Sequence, residues 1–214
     1  EMSSEQLIDR MLAAESFVNS WKLRTGQVKE EEDFNRIRDA LESLSKAPIF
    51  IDDKPGNNIL AMRAVARRLK RDRGIGLIIV DYLQLMAPTS TKASDSLVQQ
   101  VTEISRSLKS LARELKVPVI ALSQLNRAVE QRGGKPRLSD LRDSGSIEQD
   151  ADVVIFIHRE DKRNPESDRP NIAEILIEKH RNGPTGKTEL YFDEKRATFQ
   201  PVDKSGYGEL AAEF

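Results

Sequence analysis

Apolar residues recur along this chain in two rhythms, and their alternation predicts an α/β protein. Leu7, Ile8, Met11, Leu12, Val18 and Trp21 fall at roughly helical intervals behind Ser3 and Gln6, which stand at capping-box spacing, and predict a helix from about Ser3 to Lys22. After Thr25-Gly26, an acidic run from Glu30 to Asp33 precedes Phe34, Ile37, Leu41 and Leu44, a second amphipathic helix with negative charge in its first turn. Ile59, Met62, Val65, Ala66 and Leu69 line a third helix that ends near Gly74, and the residues from Leu97 to Leu115 alternate apolar steps of three and four along a long fourth.

Between these lie short apolar runs. Gly76 to Leu85 is largely β-branched and carries the carboxylate of Asp81 where its strand-like part stops; Val117 to Gln124 is similar and ends on Ser123-Gln124. A strand buried on both faces reads as such a run. Pro48 to Asp53 predicts a short strand stopped by Lys54-Pro55-Gly56, and Ala151 to Ile157 another. Ile172 to Lys179, Thr188 to Phe192 and Thr198 to Val202 read as closing strands, two of them paired as a hairpin across Arg181 to Gly186. Ala87–Ser94, Asn126–Arg137 and Asp161–Pro170 read as loops. Strands alternating with helices of ten to twenty residues imply a mostly parallel sheet with helices on both faces.

Composition narrows the chemistry. The 214 residues include no cysteine, which excludes disulfides, thiolate metal sites and cysteine nucleophiles. A formal net charge of -1 argues against a generally basic nucleic-acid coat, though not against local binding. No apolar run is long enough to span a bilayer and no leader is visible, so a cytoplasmic protein without membrane contact is expected. The chain opens on Glu1 rather than Met, which suggests a fragment, and from Asp203 onward the composition is that of a flexible tail.

Two parallel strands ending in Asp81 and in Ser123-Gln124 would bring those groups to one carboxyl edge of a sheet, where open α/β sheets take ligands. A carboxylate there suits a hydrated magnesium ion, and an amide suits a terminal phosphate because it donates and accepts at once. Each feature alone is also common at ordinary strand ends. Gly183-Pro-Thr-Gly186-Lys187-Thr188 ends like a phosphate-binding loop, but position 181 holds Arg where the motif needs Gly, and the residues that follow read as a strand rather than a helix. Segment Arg127 to Asp143 is locally basic, with five Arg or Lys against three Asp or Glu, and lacks aromatic residues, a pattern that fits backbone tracking better than base stacking.

Four motifs then carry a resemblance. Leu77-Ile-Ile-Val-Asp-Tyr-Leu-Gln-Leu-Met86, Val119-Ile-Ala-Leu-Ser-Gln-Leu-Asn-Arg127, Leu138-Ser-Asp-Leu-Arg-Asp-Ser-Gly-Ser-Ile-Glu-Gln-Asp-Ala-Asp152 and Lys179-His-Arg-Asn-Gly-Pro-Thr-Gly186 resemble, in order, the motifs of the bacterial replicative DNA helicase family DnaB, from Glu1 to about Pro201. The resemblance implies a RecA-like ATPase domain, here residues 1–202 and incomplete at its N-terminus, followed by the tail 203–214. It implies ATP-driven translocation of a homo-hexameric ring on single-stranded DNA at the replication fork, with ATP and Mg2+ as cofactors and primase and a helicase loader as partners.

Residue by residue, Asp81 resembles the Walker B Asp, which holds Mg2+ through water, and Gln124 the γ-phosphate sensor. Glu1 resembles the Glu that polarises the attacking water. Lys179 and Arg181 resemble a basic pair that reaches a neighbour's nucleotide, Arg181 as the arginine finger; read without the family, Lys-x-Arg at a strand end is solvated surface. His180 between them receives no role. Arg142, Asp143, Ser144 and Gly145 resemble the loop that follows the DNA backbone. No Walker A sequence occurs among these residues, so little ATP binding is expected of the chain by itself. Other RecA-like ATPases, recombinases or RadA-like repair proteins among them, share the strand-end Asp and Gln, and a non-catalytic helicase remnant that docks a partner would share the motifs.

Overall fold

The computed structural model describes residues 2–54, 56, 58–87, 97–126, 129, 132–164 and 166–202, the side chains of 97 and 142–146 excepted. The proposed tail 203–214 lies outside the described residues. The chain forms two compact units, one of residues 1–53, 156–176 and 186–214, the other of residues 54–155 and 177–185.

The first unit opens with α1 (Ser4–Ser16), α2 (Ser20–Thr25) and α3 (Glu31–Lys46). The capping box is formed: Gln6 N–H donates to Ser3 Oγ at 3.3 Å and Ser3 N–H donates to Gln6 Oε1 at 3.4 Å. Where one helix to Lys22 was expected there are two, because Phe17 turns into the left-handed region at φ 57° and the Asn19 side chain caps α2 through Trp21 N–H at 2.8 Å. Arg196 Nε donates to the Phe17 carbonyl at 2.7 Å, and its guanidinium lies 5.5 Å from the Phe17 ring centre, which gives the released carbonyl and ring new partners. Pro48 to Asp53 is not a strand. Its Ile49, Phe50 and Ile51 are exposed and it joins no ladder among the described residues, and β-branched residues without a neighbouring strand leave extended coil.

The closing strands are β3 (Val153–Arg159), β4 (Ile172–His180), β5 (Gly186–Asp193) and β6 (Thr198–Pro201), in that order across one sheet. β4 and β5 are neighbours joined by residues 181–185, where the hairpin was expected, and β5 pairs antiparallel with β6 from Leu190 opposite Pro201 to Asp193 opposite Thr198. Arg159 knots the turns of this unit: its guanidinium meets Asp161 at 2.6 Å, Asn171 at 2.9 Å and Glu194 at 3.0 Å, and stacks 4.9 Å from the Phe192 ring centre.

The second unit contains α4 (Ile59–Arg73), β1 (Ile78–Val80), α5 (Leu97–Leu115), β2 (Val119–Ala121) and α6 (Gly145–Asp150), with 3-10 turns at Leu83–Leu85 and Leu138–Ser144. Asn58 caps α4, and Gly74, at φ 65°, ends it. β1 and β2 pair in parallel, Ile78 with Val119, Ile79 with Ile120 and Val80 with Ala121. Burial follows from that register. Val80 joins Ile59 of α4, Leu83, and Ile104 and Leu108 of α5 in the core, with Ile78 and Val119 packed against it. Ile79 and Ile120 point the other way and are 62% and 53% exposed. The expectation of strands buried on both faces therefore holds for one face only.

Arg142 to Gly145, expected as a loop, lie within the second 3-10 turn and the start of α6, which together cover residues 138–150. Polar and glycine-rich composition hid two anchors, Leu141, which is buried, and Ile147, which packs on the core. Ser105 Oγ of α5 donates to Asp150 at 2.8 Å and fixes the far end.

Candidate functional site

The parallel pair aligns the two strand ends. Leu122 N–H donates to the Val80 carbonyl at 2.9 Å and Leu83 N–H to the Leu122 carbonyl at 3.0 Å, so the ladder continues past Asp81 through a cis Asp81–Tyr82 peptide. Asp81 follows Val80, and Ser123-Gln124 follow its partner Ala121 by two and three residues, so all three stand at the carboxyl edge of the pair.

A group that sequence reasoning missed ties this edge together. Gln84, on the turn just past Asp81, donates from Nε2 to Ser123 Oγ at 3.0 Å and to the Gln124 carbonyl at 3.4 Å, and its Oε1 accepts from Gln124 N–H at 3.4 Å. One amide thus reads the backbone of Gln124 in both directions and holds it against the strand that carries Asp81. The only signal in the sequence was an amide three residues beyond the Asp; its partner residues lie forty positions away and need the register.

The other predicted groups lie at the end of β4. Lys179 Nζ donates to the carbonyl of Glu148, and Arg181 Nη2 to the carbonyl of Gln149 at 3.2 Å, both at the C-terminal end of α6, where the helix dipole favours cations. Arg181 also meets Asp152 at 3.0 Å, and its N–H donates to the Asp152 carbonyl at 2.8 Å. The Asp152 carboxyl is held below the ordinary carboxylate range, first by its hydrogen bond from Lys109 and further by the charges of Lys109, Arg181 and Arg113. His180 Nδ1 lies 3.3 Å from the Pro184 carbonyl, and its ring packs against Gly183.

Arg142, Asp143 and Ser144 belong to the second 3-10 turn and Gly145 opens α6, so the expected loop is helical backbone. The basic segment before it is partly neutralised within the chain: Arg132 grips Asp140 through two bonds of 2.7 and 2.9 Å and donates to the Lys135 carbonyl at 3.0 Å. Asp140 also accepts from Arg137 N–H at 2.7 Å; Arg132 first, then this bond, hold its carboxyl well below the usual range. Glu1 and Arg127 lie outside the described residues.

The donor set bears on cofactors. Among the described residues no three His, Cys, Asp or Glu side chains gather to hold a metal. A lone carboxylate at a strand edge fits magnesium that keeps its waters and is bound chiefly through phosphate oxygens, and does not fit a dedicated protein cage. Gly186, Lys187 and Thr188 open strand β5, not a helix, and Lys187 lies near Glu174 at 3.7 Å and Glu189 at 3.9 Å, which bears out the rejection of a phosphate loop there.

Comparison with known proteins places this arrangement. Residues 1–201 match the model of the DnaB-like helicase C terminal domain. The chain belongs to that family. Among curated DnaB relatives, it is 51% identical to the "Replicative DNA helicase DnaC" of Bacillus subtilis over 95% of this chain and 45% of that protein, and equally to the "Replicative DNA helicase DnaB" of Geobacillus stearothermophilus. DnaB of Rickettsia typhi is 44% identical over 98% of this chain. A solved DnaB-like replicative helicase, studied with its primase interactions, superposes with a TM-score of 0.89 at 39% identity over 95% of this chain and 49% of that one. A solved ATPase domain gives the same TM-score and identity, with 72% of its length covered. The RecA-like α/β fold expected from the DnaB motifs is thereby established, and a recombinase or RadA-like origin is set aside. The chain spans under half the length of the curated relatives it matches.

Proposed function

We propose that this chain supplies the catalytic edge of an ATP site in a replicative DNA helicase that moves as a homo-hexamer along single-stranded DNA and unwinds duplex at the fork. The observation that carries the reading is the parallel pair that brings Asp81 and Gln124 to one edge, with Gln84, three residues past Asp81, hydrogen-bonded to Ser123 and Gln124, in a chain of the DnaB family.

In this reading Asp81 holds Mg2+ through water, and Gln124 donates to the terminal phosphate. Magnesium ATP, when bound, supplies the transferable phosphoryl group and the cation that neutralises its oxygens. Glu1 would accept a hydrogen bond from the attacking water and take its proton as the new oxygen–phosphorus bond forms and the bond from the γ-phosphorus to the bridging oxygen breaks, ADP leaving with that oxygen. Lys179 and Arg181 serve the neighbouring subunit's nucleotide, where a guanidinium that is always charged matches phosphate oxygens in a fork. The backbone of Arg142, Asp143, Ser144 and Gly145 follows the DNA strand. No Walker A sequence occurs among these residues, and the chain by itself should turn over little ATP. Primase and a loader are the partners, and the site of action is the cytoplasmic replisome.

The test is Asp81→Asn in the full-length protein. ATP turnover stimulated by single-stranded DNA should fall at least about a hundredfold with ring assembly intact. Turnover near wild type would refute the assignment. Arg181→Ala should lower hydrolysis about a thousandfold, to a residual turnover that can still be measured, while sparing nucleotide binding, and should regain part of the loss when mixed with wild-type subunits.

A further inference from the structure

Asp152 stands where three elements of the second unit meet: α5, the entry to β3 and the turn that follows β4. One carboxylate oxygen takes the ammonium of Lys109, and the other takes the guanidinium of Arg181 at 3.0 Å. The Asp152 carbonyl accepts from Arg181 N–H at 2.8 Å, and the neighbouring Gln149 carbonyl takes a second guanidinium nitrogen at 3.2 Å. Arg181 is thus held by its backbone and at two points of its fork. Lys109 refers the whole clasp to α5, whose Ile104, Leu108 and Leu111 are buried in the core. A side chain at the end of a strand, in a turn of five residues, is in this way indexed to a helix whose apolar face is buried in the core.

We infer that Asp152 is a positioning residue for Arg181, setting the direction in which the guanidinium is presented to the neighbouring subunit. The inference rests on the trans role proposed for Arg181. The strength of the contact suits guidance rather than locking. Asp152 and Arg181 are 53% and 45% exposed in their side chains, and an ion pair so wetted is weak. A phosphate that accepts two charge-assisted bonds from the fork can draw it away, while the backbone bond and the Lys109 contact keep the starting point fixed. A finger without this index samples more directions, and poorly oriented catalytic groups lose rate rather than substrate affinity.

The experiment uses the full-length protein with ATP and single-stranded DNA, and compares Asp152→Asn, Asp152→Glu, Arg181→Ala and the Asp152→Asn/Arg181→Ala double variant. Asp152→Asn keeps an acceptor and removes the charge. It should lower kcat about tenfold with KM for ATP within about twofold of wild type. Asp152→Glu should restore most of the loss, and Asp152→Asn should have no further effect once Arg181 is Ala. If Arg181→Ala loses activity and Asp152→Asn does not, the positioning role is wrong while the trans role stands. An equal further loss in the Arg181→Ala background would mean a general structural effect and also overturn it. Full activity of Arg181→Ala would overturn the trans role and the inference with it. Should Asp152→Asn fail to assemble, Lys109→Met, which leaves Asp152 and Arg181 in place, carries the same test: kcat should fall in the wild-type background and not in Arg181→Ala.

Discussion

The turn between β4 and β5 permits a prediction in which the sign of one mutation depends on another residue. A Cβ added at Gly183 would lie 2.3 Å from His180 Cε1, 2.4 Å from Nδ1 and 3.1 Å from Nε2, against an ordinary carbon contact of about 3.5–4.0 Å. The imidazole must therefore leave its place. It is exposed and can swing into water, but it gives up the bond from Nδ1 to the Pro184 carbonyl, which contributes about 0.5–1.5 kcal/mol. Gly183 has no left-handed φ, so Ala incurs no backbone strain and gains about 0.4–1 kcal/mol by restricting the unfolded chain. Gly183→Ala alone should then fall between about 0.5 kcal/mol stabilising and about 1 kcal/mol destabilising. In a His180→Ala background only the unfolded-state gain remains, and the same substitution should stabilise by about 0.4–1 kcal/mol. Urea unfolding of wild type, both single variants and the double variant, followed by far-ultraviolet circular dichroism, closes the cycle; the coupling should be about 1 kcal/mol. An equal effect of Gly183→Ala in both backgrounds would refute the claim that the ring occupies the glycine's missing side-chain space.

Two further outcomes follow from contacts at the site. Gln84→Ala should lower ATP turnover of the full-length protein while leaving unfolding of the chain nearly unchanged, because the amide orients the Gln124 backbone at an accessible edge; unchanged turnover would remove Gln84 from the site. Asp140 gives a dependence on pH. Its folded-state pKa is depressed, so its stabilising effect is complete above the ordinary carboxylate value of about 3.9 and is lost as pH falls through the folded value. Thermal midpoints of wild type and Asp140→Asn should differ at pH 7 and converge on acidification below about pH 4; a constant difference would contradict this.

What the sequence made legible and what it concealed separate along physical lines. The helices α3, α4 and α5 were readable because a single buried stripe, such as Val101, Ile104, Leu108 and Leu111, repeats at the helical period and depends on no distant residue. The break at Phe17 was not, since the apolar spacing runs on past it and the carbonyl released there is taken up by Arg196, 179 residues later. Asn19 was the one local clue. Pro48 to Asp53 shows the opposite failure, a run with strand composition and no neighbour to pair with. Asp81 and Gln124 could be placed on one edge from the sequence because parallel strands share a direction, whereas the contacts of Gln84 with Ser123 and of Arg181 with Asp152 required the register of the folded chain. Residues 142–145, expected as a loop, fold as helical turns because the apolar anchors Leu141 and Ile147 lie just outside the four polar and small residues that the motif presents.

On the DNA path proposed for residues 142–145, extended to the basic segment before them, the clasp between Arg132 and Asp140 has a consequence for how affinity should respond to salt. Counterions leave a nucleic acid only when a protein cation with no internal partner replaces them, at about 0.7 ions per phosphate neutralised on a single strand. Of the five cations between Arg127 and Asp143, Arg132 already has a carboxylate in its fork and brings no such release. The slope of log affinity against log salt should therefore be shallower than a residue count over this segment suggests, and Asp140→Asn, which frees that guanidinium, should steepen it by about 0.7.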